Sequence, residues 1–246
     1  MNNTLHKHFR NPHVILPVIH VTTEAQAVRN ASLAHDAGAD GAFLINHAIE
    51  SRELLAIHAV VAVAFPGWWL GVNCLDLHPE DAFSVVSDRV RGVWSDNAMI
   101  DEMRDEQPAA SAVLDAQQRH GWQGLYFGGV AFKYQRHVDD LRAAAKAARR
   151  FMDVITTSGP GTGKAAHVEK IGTMKEAIGG FPLAIASGIT PSNVADYLPY
   201  SDCYLVATGI SRSFEELDRE LTKQLIETVR AYDNSHQECE IGSAPG

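Results

Sequence analysis

Polar side chains follow the ends of five apolar stretches in the first half of the sequence. These residues are His20, Asn46, Asn73, Asp76, Asp96, Asn97 and Lys133. If the stretches are parallel strands, their carboxyl ends meet on one face and the polar groups surround one bowl. Aspartate and histidine can transfer protons and a lysine can stabilise negative charge, so the candidate catalytic residues are His20, Asp76, Asp96 and Lys133. The three asparagines are candidate substrate ligands, and Lys133 is alternatively a Schiff-base lysine.

Three apolar runs between residues 153 and 213 each end in glycine and hydroxyl residues. Turns of this composition present backbone N–H groups to anions, and the last loops of a (βα)8 barrel commonly hold a phosphate. The candidate phosphate ligands are Ser158, Gly159, Gly161, Thr162, Gly163, Ser187, Gly188, Thr208 and Gly209. A P-loop is excluded, because that motif needs glycine at position 158 and serine or threonine at 165, where this chain has Ser158 and Ala165.

Apolar runs alternate with segments of helical spacing eight times along the 246 residues. Strict alternation predicts a parallel sheet, and one (βα)8 barrel typically has about 250 residues. An open doubly wound sheet is the alternative, but it usually carries its phosphate loop after the first strand, where this chain has no glycine pattern. We therefore predict a single-domain (βα)8 TIM barrel over residues 1–232. The final helix is predicted to span residues 214–231, and the small polar residues 233–246 are predicted to form a mobile tail.

The composition excludes several classes of partner. The net charge of −9 argues against nonspecific binding to nucleic acid, which needs a basic face. Three cysteines without CxxC spacing argue against a disulfide framework or a zinc site. The N-terminus has no apolar signal segment and no apolar run could span a bilayer, so we expect a cytoplasmic protein with no membrane partner. No cofactor is predicted. A Mg²⁺ site is left open, because Asp76 and Asp96 with their neighbouring asparagines carry the oxygen ligands that this ion prefers.

Short motifs across nearly the whole chain resemble the BtpA/SgcQ family of (βα)8-barrel proteins. The matching pieces are Val18-Ile-His20, Gly71-Val-Asn73, Lys133, Ser158-Gly-x-x-Thr162-Gly163, Ser187-Gly188-Ile-Thr-x-x-Asn193 and Val206-Ala-Thr208. The family's Leu-Arg-Asn-Asp is Cys74-Leu-Asp76-Leu here, and its lysine after the eighth strand is missing, which indicates a divergent subgroup. The resemblance implies the barrel fold and the phosphate site.

Two functions follow from these patterns. The first is an enzyme acting on a small phosphorylated sugar or phosphoribosyl compound by isomerisation, lyase chemistry or phosphoribosyl transfer, with a homo-oligomer left open. The second, which the resemblance suggests because one family member is linked to photosystem I biogenesis, is a noncatalytic assembly factor. An assembly factor needs a large exposed apolar patch, and the candidate patch is the stretch 65–69, Phe-Pro-Gly-Trp-Trp.

Overall fold

The computed structural model describes residues 4–242, with the side chains up to residue 236. The strands are β1 Val14–Val21, β2 Gly41–Asn46, β3 Trp69–Asn73, β4 Gly92–Ser95, β5 Leu125–Gly129, β6 Val154–Ser158, β7 Leu183–Ala186 and β8 Cys203–Val206. The helices are α1 Glu24–Asp36, α2 Ser51–Ala64, α3 Pro79–Val85, α4 Pro108–Arg119, α5 Leu141–Ala148, α6 Val168–Ile178 and α7 Arg219–Gly242. No helix in this range is both long and apolar enough to cross a membrane.

The eight strands form a closed parallel barrel in sequence order, which confirms the predicted TIM-barrel fold. Closure is made by β1 and β8, whose register runs from Val14 opposite Cys203 to Pro17 opposite Val206. Between β7 and β8, two short 3-10 turns replace the helix that strict alternation predicts. Pro199 lies in the second of these turns. Proline has no backbone N–H to donate within a helix, which is consistent with a connection between β7 and β8 that contains no α-helix.

An aromatic layer fills the barrel interior. The ring centroid of Phe43 lies 5.2 Å from that of Trp69, 5.7 Å from that of Trp94 and 5.1 Å from that of Phe127. Gly71 makes room for this layer, because a Cβ atom at that position would lie 2.4 Å from the Phe43 ring. Successive side chains along each strand point alternately into the barrel and towards the helices. Residues an even number of positions after these inward-facing aromatic residues therefore also point inward and reach the mouth.

The Phe65–Trp69 stretch does not form an exposed apolar patch. Trp69 is buried at the amino-terminal end of the barrel and packs against Phe9, with ring centroids 5.2 Å apart. Trp68 is partly buried, and its indole N–H donates to the Ala39 carbonyl at 3.0 Å. The burial of both tryptophans counts against the surface on which the assembly-factor hypothesis depends.

The last helix does not end at Ala231, where the sequence predicts, but continues to Gly242. Asp233 lies within it, is buried, and pairs with His13 next to β1 and with Arg230 one turn earlier. These contacts hold the helix against the barrel through the region where the polar composition predicts a tail. The remaining residues of that predicted tail, 243–246, lie outside the described residues.

Replacing Asp233 by alanine is expected to lower the free energy of unfolding by about 1–3 kcal/mol, because it leaves His13 without its carboxylate partner, while Arg230 keeps its ion pair with Asp40. Urea unfolding followed by far-UV circular dichroism measures the loss. The control is Lys223→Ala, which breaks an exposed pair with Glu227 on the same helix and should cost less than about 1 kcal/mol. Equal losses in the two variants would show that the buried pairs do not fasten the helix.

Candidate active site

A cavity of about 150 Å³ opens at the carboxyl-terminal mouth of the barrel. Its floor is apolar and is formed by inward-facing side chains of the strands, including Val18, Ile45, Trp94 and Leu205. Above the floor, one wall carries His20, His47, Asp96 and Lys133, from the ends of β1, β2, β4 and β5. The opposite wall carries Thr162, Ser187 and Thr208 from the loops after β6, β7 and β8. The mouth therefore places ionisable groups opposite hydroxyl groups.

His20 lies at the end of β1 with a fixed orientation. Its Nδ1 donates a hydrogen bond of 2.8 Å to the Phe214 carbonyl, which can only accept, so the neutral ring carries its lone pair on Nε2. Burial lowers the pKa of His20 to about 4. At neutral pH the ring is uncharged, and its Nε2 is able to accept a proton from a ligand in the cavity.

Asp96 follows β4 and receives a hydrogen bond of 3.0 Å from the Asn73 amide nitrogen. Burial raises the pKa of the Asp96 carboxyl, and the Asn73 bond and the charges of Lys133 and His47 oppose this rise. A carboxyl group with a raised pKa exchanges protons more readily near neutral pH. Burial also lowers the pKa of the His47 ring, and the nearby Asp96 carboxylate opposes this decrease.

Lys133 lies in the loop after β5 and contacts the neighbouring loop after β6. Its Nζ lies 3.5 Å from the Thr162 Oγ1, and the hydroxyl of the neighbouring Tyr134 donates to the same oxygen at 3.3 Å. The charges of Lys133 and Lys164 both act on Tyr134, so two cations lie near Thr162. This side of the mouth is therefore positive although the whole chain is negative, which suits a bound anion.

The loops after β6, β7 and β8 converge, because glycines in them allow close contact between their backbones. A Cβ atom on Gly188 would lie 2.3 Å from the Ala165 backbone, and one on Gly209 would lie 1.8 Å from the Ile189 carbonyl oxygen. A Cβ atom on Gly163 would lie 3.4 Å from the Thr208 hydroxyl. Gly188 and Gly209 thus bring the loops against one another, whereas the sequence pattern assigns them to direct approach of a ligand.

Several backbone donors in these loops have no acceptor in the part of the chain that the structure describes. The N–H groups of Gly163 and Gly188 are among them. Both glycines have positive φ angles, of 71° and 75°, in which a side chain is disfavoured. Unpaired backbone N–H groups in converging turns are the usual ligands of phosphate oxygens.

Asn46 and Asp76 form a separate network outside the cavity. The Asn46 amide donates to the Asp76 carboxylate at 2.7 Å, and Ser51 donates to it from its backbone N–H, at 3.0 Å, and from its hydroxyl. Burial alone would raise the pKa of Asp76, but the bonds from Ser51 and Asn46 hold it below its usual value. A carboxylate stabilised in its charged form at the start of α2 fits a helix cap, so the structure does not bring Asp76 to the catalytic groups.

Four further predicted residues make contacts within or between the loops. The Asn97 side chain accepts a hydrogen bond from the Met99 N–H at 2.9 Å and shapes the next loop. The buried Ser158 hydroxyl accepts from the Lys133 N–H at 2.7 Å and joins the loops after β5 and β6. A Cβ atom on Gly159 would lie 2.0 Å from the Lys164 carbonyl, so this glycine lets its own loop fold tightly. Gly161 lies in the same loop, and its carbonyl accepts from Ser187 at 3.4 Å.

His47, Phe214 and two residues of α1 complete the site, and the sequence patterns do not assign them to it. The Phe214 ring stacks on His20 with centroids 4.0 Å apart, and the buried Gln26 and Asn30 donate to the Glu215 carbonyl at 2.5 and 2.8 Å. These bonds fix the loop that orients His20. Among the described side chains, which end at residue 236, there is no group of three or more His, Cys, Asp or Glu residues that could hold a metal, so Mg²⁺ stays a prediction from sequence.

Acidification is expected to destabilise the protein through His20. Burial lowers its pKa from 6.5 to about 4, so the unfolded chain binds the proton first as the pH falls. The free energy of unfolding should therefore decrease from about pH 6.5 to pH 4, by up to ~3 kcal/mol from this residue. Urea unfolding at several pH values should show a shallower decrease for His20→Gln, whereas His236→Gln, an exposed control, should follow the wild type. Parallel curves for wild type and His20→Gln would contradict the assignment.

Comparisons with known proteins show what this barrel is similar to. No family model matches the chain. An uncharacterized protein of Thermococcus kodakarensis is 26% identical over 231 residues, covering 83% of this chain and 85% of that protein. Phosphoribosyl anthranilate isomerase from Thermus thermophilus has a TM-score of 0.63 and 15% identity, over 89% of this chain and 99% of its own.

A third structure, (S)-3-O-geranylgeranylglyceryl phosphate synthase from Thermoplasma acidophilum in complex with sn-glycerol-1-phosphate, has a TM-score of 0.64 and 15% identity. It covers 94% of this chain and all of its own. At such identities these structures establish the fold alone. The chain is therefore a (βα)8 TIM barrel whose polar residues gather at its carboxyl-terminal mouth.

Proposed function

We propose that this protein is an enzyme that transfers a proton on a small phosphorylated sugar or phosphoribosyl compound. The observation that carries the proposal is the two-sided mouth, in which His20, Asp96 and Lys133 share one cavity with the hydroxyl groups of Thr162 and Thr208. Proton transfer at a carbon next to a carbonyl or imine underlies both isomerisation and many lyase reactions. Phosphoribosyl transfer remains the third reaction class.

The phosphate is proposed to bind between the converging loops. The Gly163 and Gly188 N–H groups have no acceptor among the described residues, and the charges of Lys133 and Lys164 lie beside them near Thr162. Together they provide directed donors and positive charge for a dianion. The solved structures similar in fold include one in complex with a glycerol phosphate and one named for a phosphoribosyl compound, which supports this choice of ligand class.

The carbon end of the ligand is then proposed to lie against the opposite wall. The neutral His20 accepts a proton at Nε2, and Asp96, whose pKa burial raises, donates or accepts the second proton. Lys133 stabilises the negative charge that develops on the oxygen of the intermediate. The Schiff-base alternative for Lys133 is tested by borohydride trapping followed by peptide mass spectrometry.

Membership of a divergent BtpA/SgcQ subgroup forms part of the proposal. The motif residues His20, Lys133, Thr162, Ser187 and Thr208 are far apart in sequence, and all line the one cavity. If this chain and the BtpA/SgcQ family have a common function, the motifs that they share should meet in one site, as these residues do. A cytoplasmic location and assembly into a homo-oligomer also belong to the proposal.

A thermal-shift screen against phosphorylated metabolites tests the function. Sugar phosphates at saturating concentration should raise the melting temperature, because a ligand that binds only the folded state stabilises it by mass action. For each stabilising compound, incubation in deuterium oxide should exchange one carbon-bound hydrogen, visible by proton NMR. Repeating the screen with EDTA and with Mg²⁺ tests the metal prediction. Stabilisation by unphosphorylated sugars alone would contradict the phosphate assignment.

A further inference from the structure

Two exposed apolar side chains border the mouth, one far along the loop after β8, beside His20 and His47, and one just after β3. Phe214 is 45% exposed and Leu75 is 38% exposed, and both line the cavity together with His47. Large apolar groups that are exposed beside a polar site commonly mark a surface that a ligand covers. The sequence motifs assign no role to these two residues, and the proposed proton transfer uses only the Phe214 carbonyl, which orients His20.

Phe214 is held as a fixed platform. Its carbonyl accepts from His20, its ring stacks on His20, and its ring centroid lies 5.2 Å from that of His47 in an edge-on contact. The following residues are fastened to α1, where Asn30 accepts from the Leu217 N–H at 2.9 Å. An aromatic ring that is already oriented loses little conformational freedom when a planar group packs on it.

The size of the cavity points in the same direction. Its volume of about 150 Å³ is below the ~300–1,000 Å³ of typical small-molecule sites. A phosphorylated sugar that carries a further group must therefore extend that group past the polar wall to the border. Leu75 and Phe214 are among the exposed apolar side chains that line the cavity and are available to such a group.

We propose that the substrate carries a planar unsaturated ring on the carbon end of its phosphorylated chain, bound against Phe214 and Leu75. This inference rests on the proposed function, since it places the ring relative to the bound phosphate. Tyr134 belongs to the other side of the mouth, because its hydroxyl bonds to Thr162. The ring and the phosphate are thus recognised by different side chains, which makes the two halves separable by mutation.

Calorimetric titration of the full chain with three probes tests the inference. The probes are ribose 5-phosphate, uridine 5′-monophosphate, which adds a planar ring to the same sugar phosphate, and uridine, which lacks the phosphate. We expect uridine 5′-monophosphate to bind about tenfold more tightly than ribose 5-phosphate, as one stacked ring provides. In Phe214→Ala the two constants should fall within about twofold of each other, and in Tyr134→Phe the tenfold ratio should remain.

The outcomes separate the two proposals. If ribose 5-phosphate binds and the ring adds no affinity, or if Phe214→Ala keeps the tenfold ratio, the ring subsite is wrong and the phosphate site stands. If neither phosphorylated probe binds, the proposed function fails and the ring subsite fails with it. Circular dichroism of the Phe214→Ala and Leu75→Ala variants confirms that they fold. Leu75→Ala should also reduce the ratio between the affinities for uridine 5′-monophosphate and ribose 5-phosphate.

Discussion

Replacing Asp96 by asparagine is expected to lower turnover of the phosphorylated substrate by about 10²–10⁴-fold, the usual contribution of a positioned acid or base. The substitution keeps the size of the side chain but removes a carboxyl group whose pKa burial raises beside Lys133 and His47. Substrate affinity should change little, because the proposed phosphate donors, the N–H groups of Gly163 and Gly188, lie in the loops after β6 and β7. Steady-state rates and deuterium exchange on the compound found by the thermal-shift screen measure the effect.

The matched control is Asp76→Asn. Both aspartates follow strands and both are candidate acids in the sequence, but Asp76 binds Ser51 and Asn46 at the start of α2. We expect its replacement to leave turnover within about threefold of the wild type and to lower the free energy of unfolding by about 0.5–2 kcal/mol, as loss of a helix cap does. A large loss of turnover in Asp76→Asn together with an active Asp96→Asn would reverse the assignment.

Replacing Gly188 by alanine is expected to cost about 2–4 kcal/mol of stability and to abolish stabilisation by phosphorylated ligands. The new Cβ atom would lie 2.3 Å from the Ala165 backbone, and the φ angle of 75° is strained for alanine. Relief of the contact must separate the loops after β6 and β7, which the phosphate needs together. Urea unfolding and thermal shift with ribose 5-phosphate measure the two effects.

Gly180→Ala is the control for this experiment. Gly180 precedes β7 and has no positive φ angle, and a Cβ atom added there would have no described atom within 4 Å outside its chain neighbours. Its replacement should change stability by no more than about 0.5 kcal/mol and should leave the ligand response intact. If Gly188→Ala retains the wild-type ligand response, the convergence of the loops is not what binds the phosphate.

The fold was predictable because its signal is repeated along the chain. Each apolar run is followed by a segment of helical spacing, and only the short connection after β7, with its proline, departs from the pattern. For the residues of β2, the sequence does not show which side chains point into the barrel and which point towards the helices. All six residues of Gly41–Asn46 are buried, so no alternation of polar and apolar residues indicates which ones face inward. The sequence therefore assigns Asn46 to the mouth, where the structure places His47.

Contacts between distant loops explain the other differences. Phe214 falls within the segment predicted as the start of the last helix, but that helix begins at Arg219, and a bridge between Ser211 and Leu217 turns the preceding loop towards His20. No local pattern encodes that turn, which depends on Gln26 and Asn30 of α1. The glycines of the last loops can be identified from composition, but their packing on neighbouring loops is a tertiary property.

A crystal structure with ribose 5-phosphate would test the central claim most directly. We expect the phosphate between the loops after β6, β7 and β8, within hydrogen-bonding distance of the Gly163 and Gly188 N–H groups. We also expect the sugar carbons beside His20 and Asp96. A phosphate bound elsewhere, or bound at these loops with the sugar directed away from His20 and Asp96, would contradict the claim.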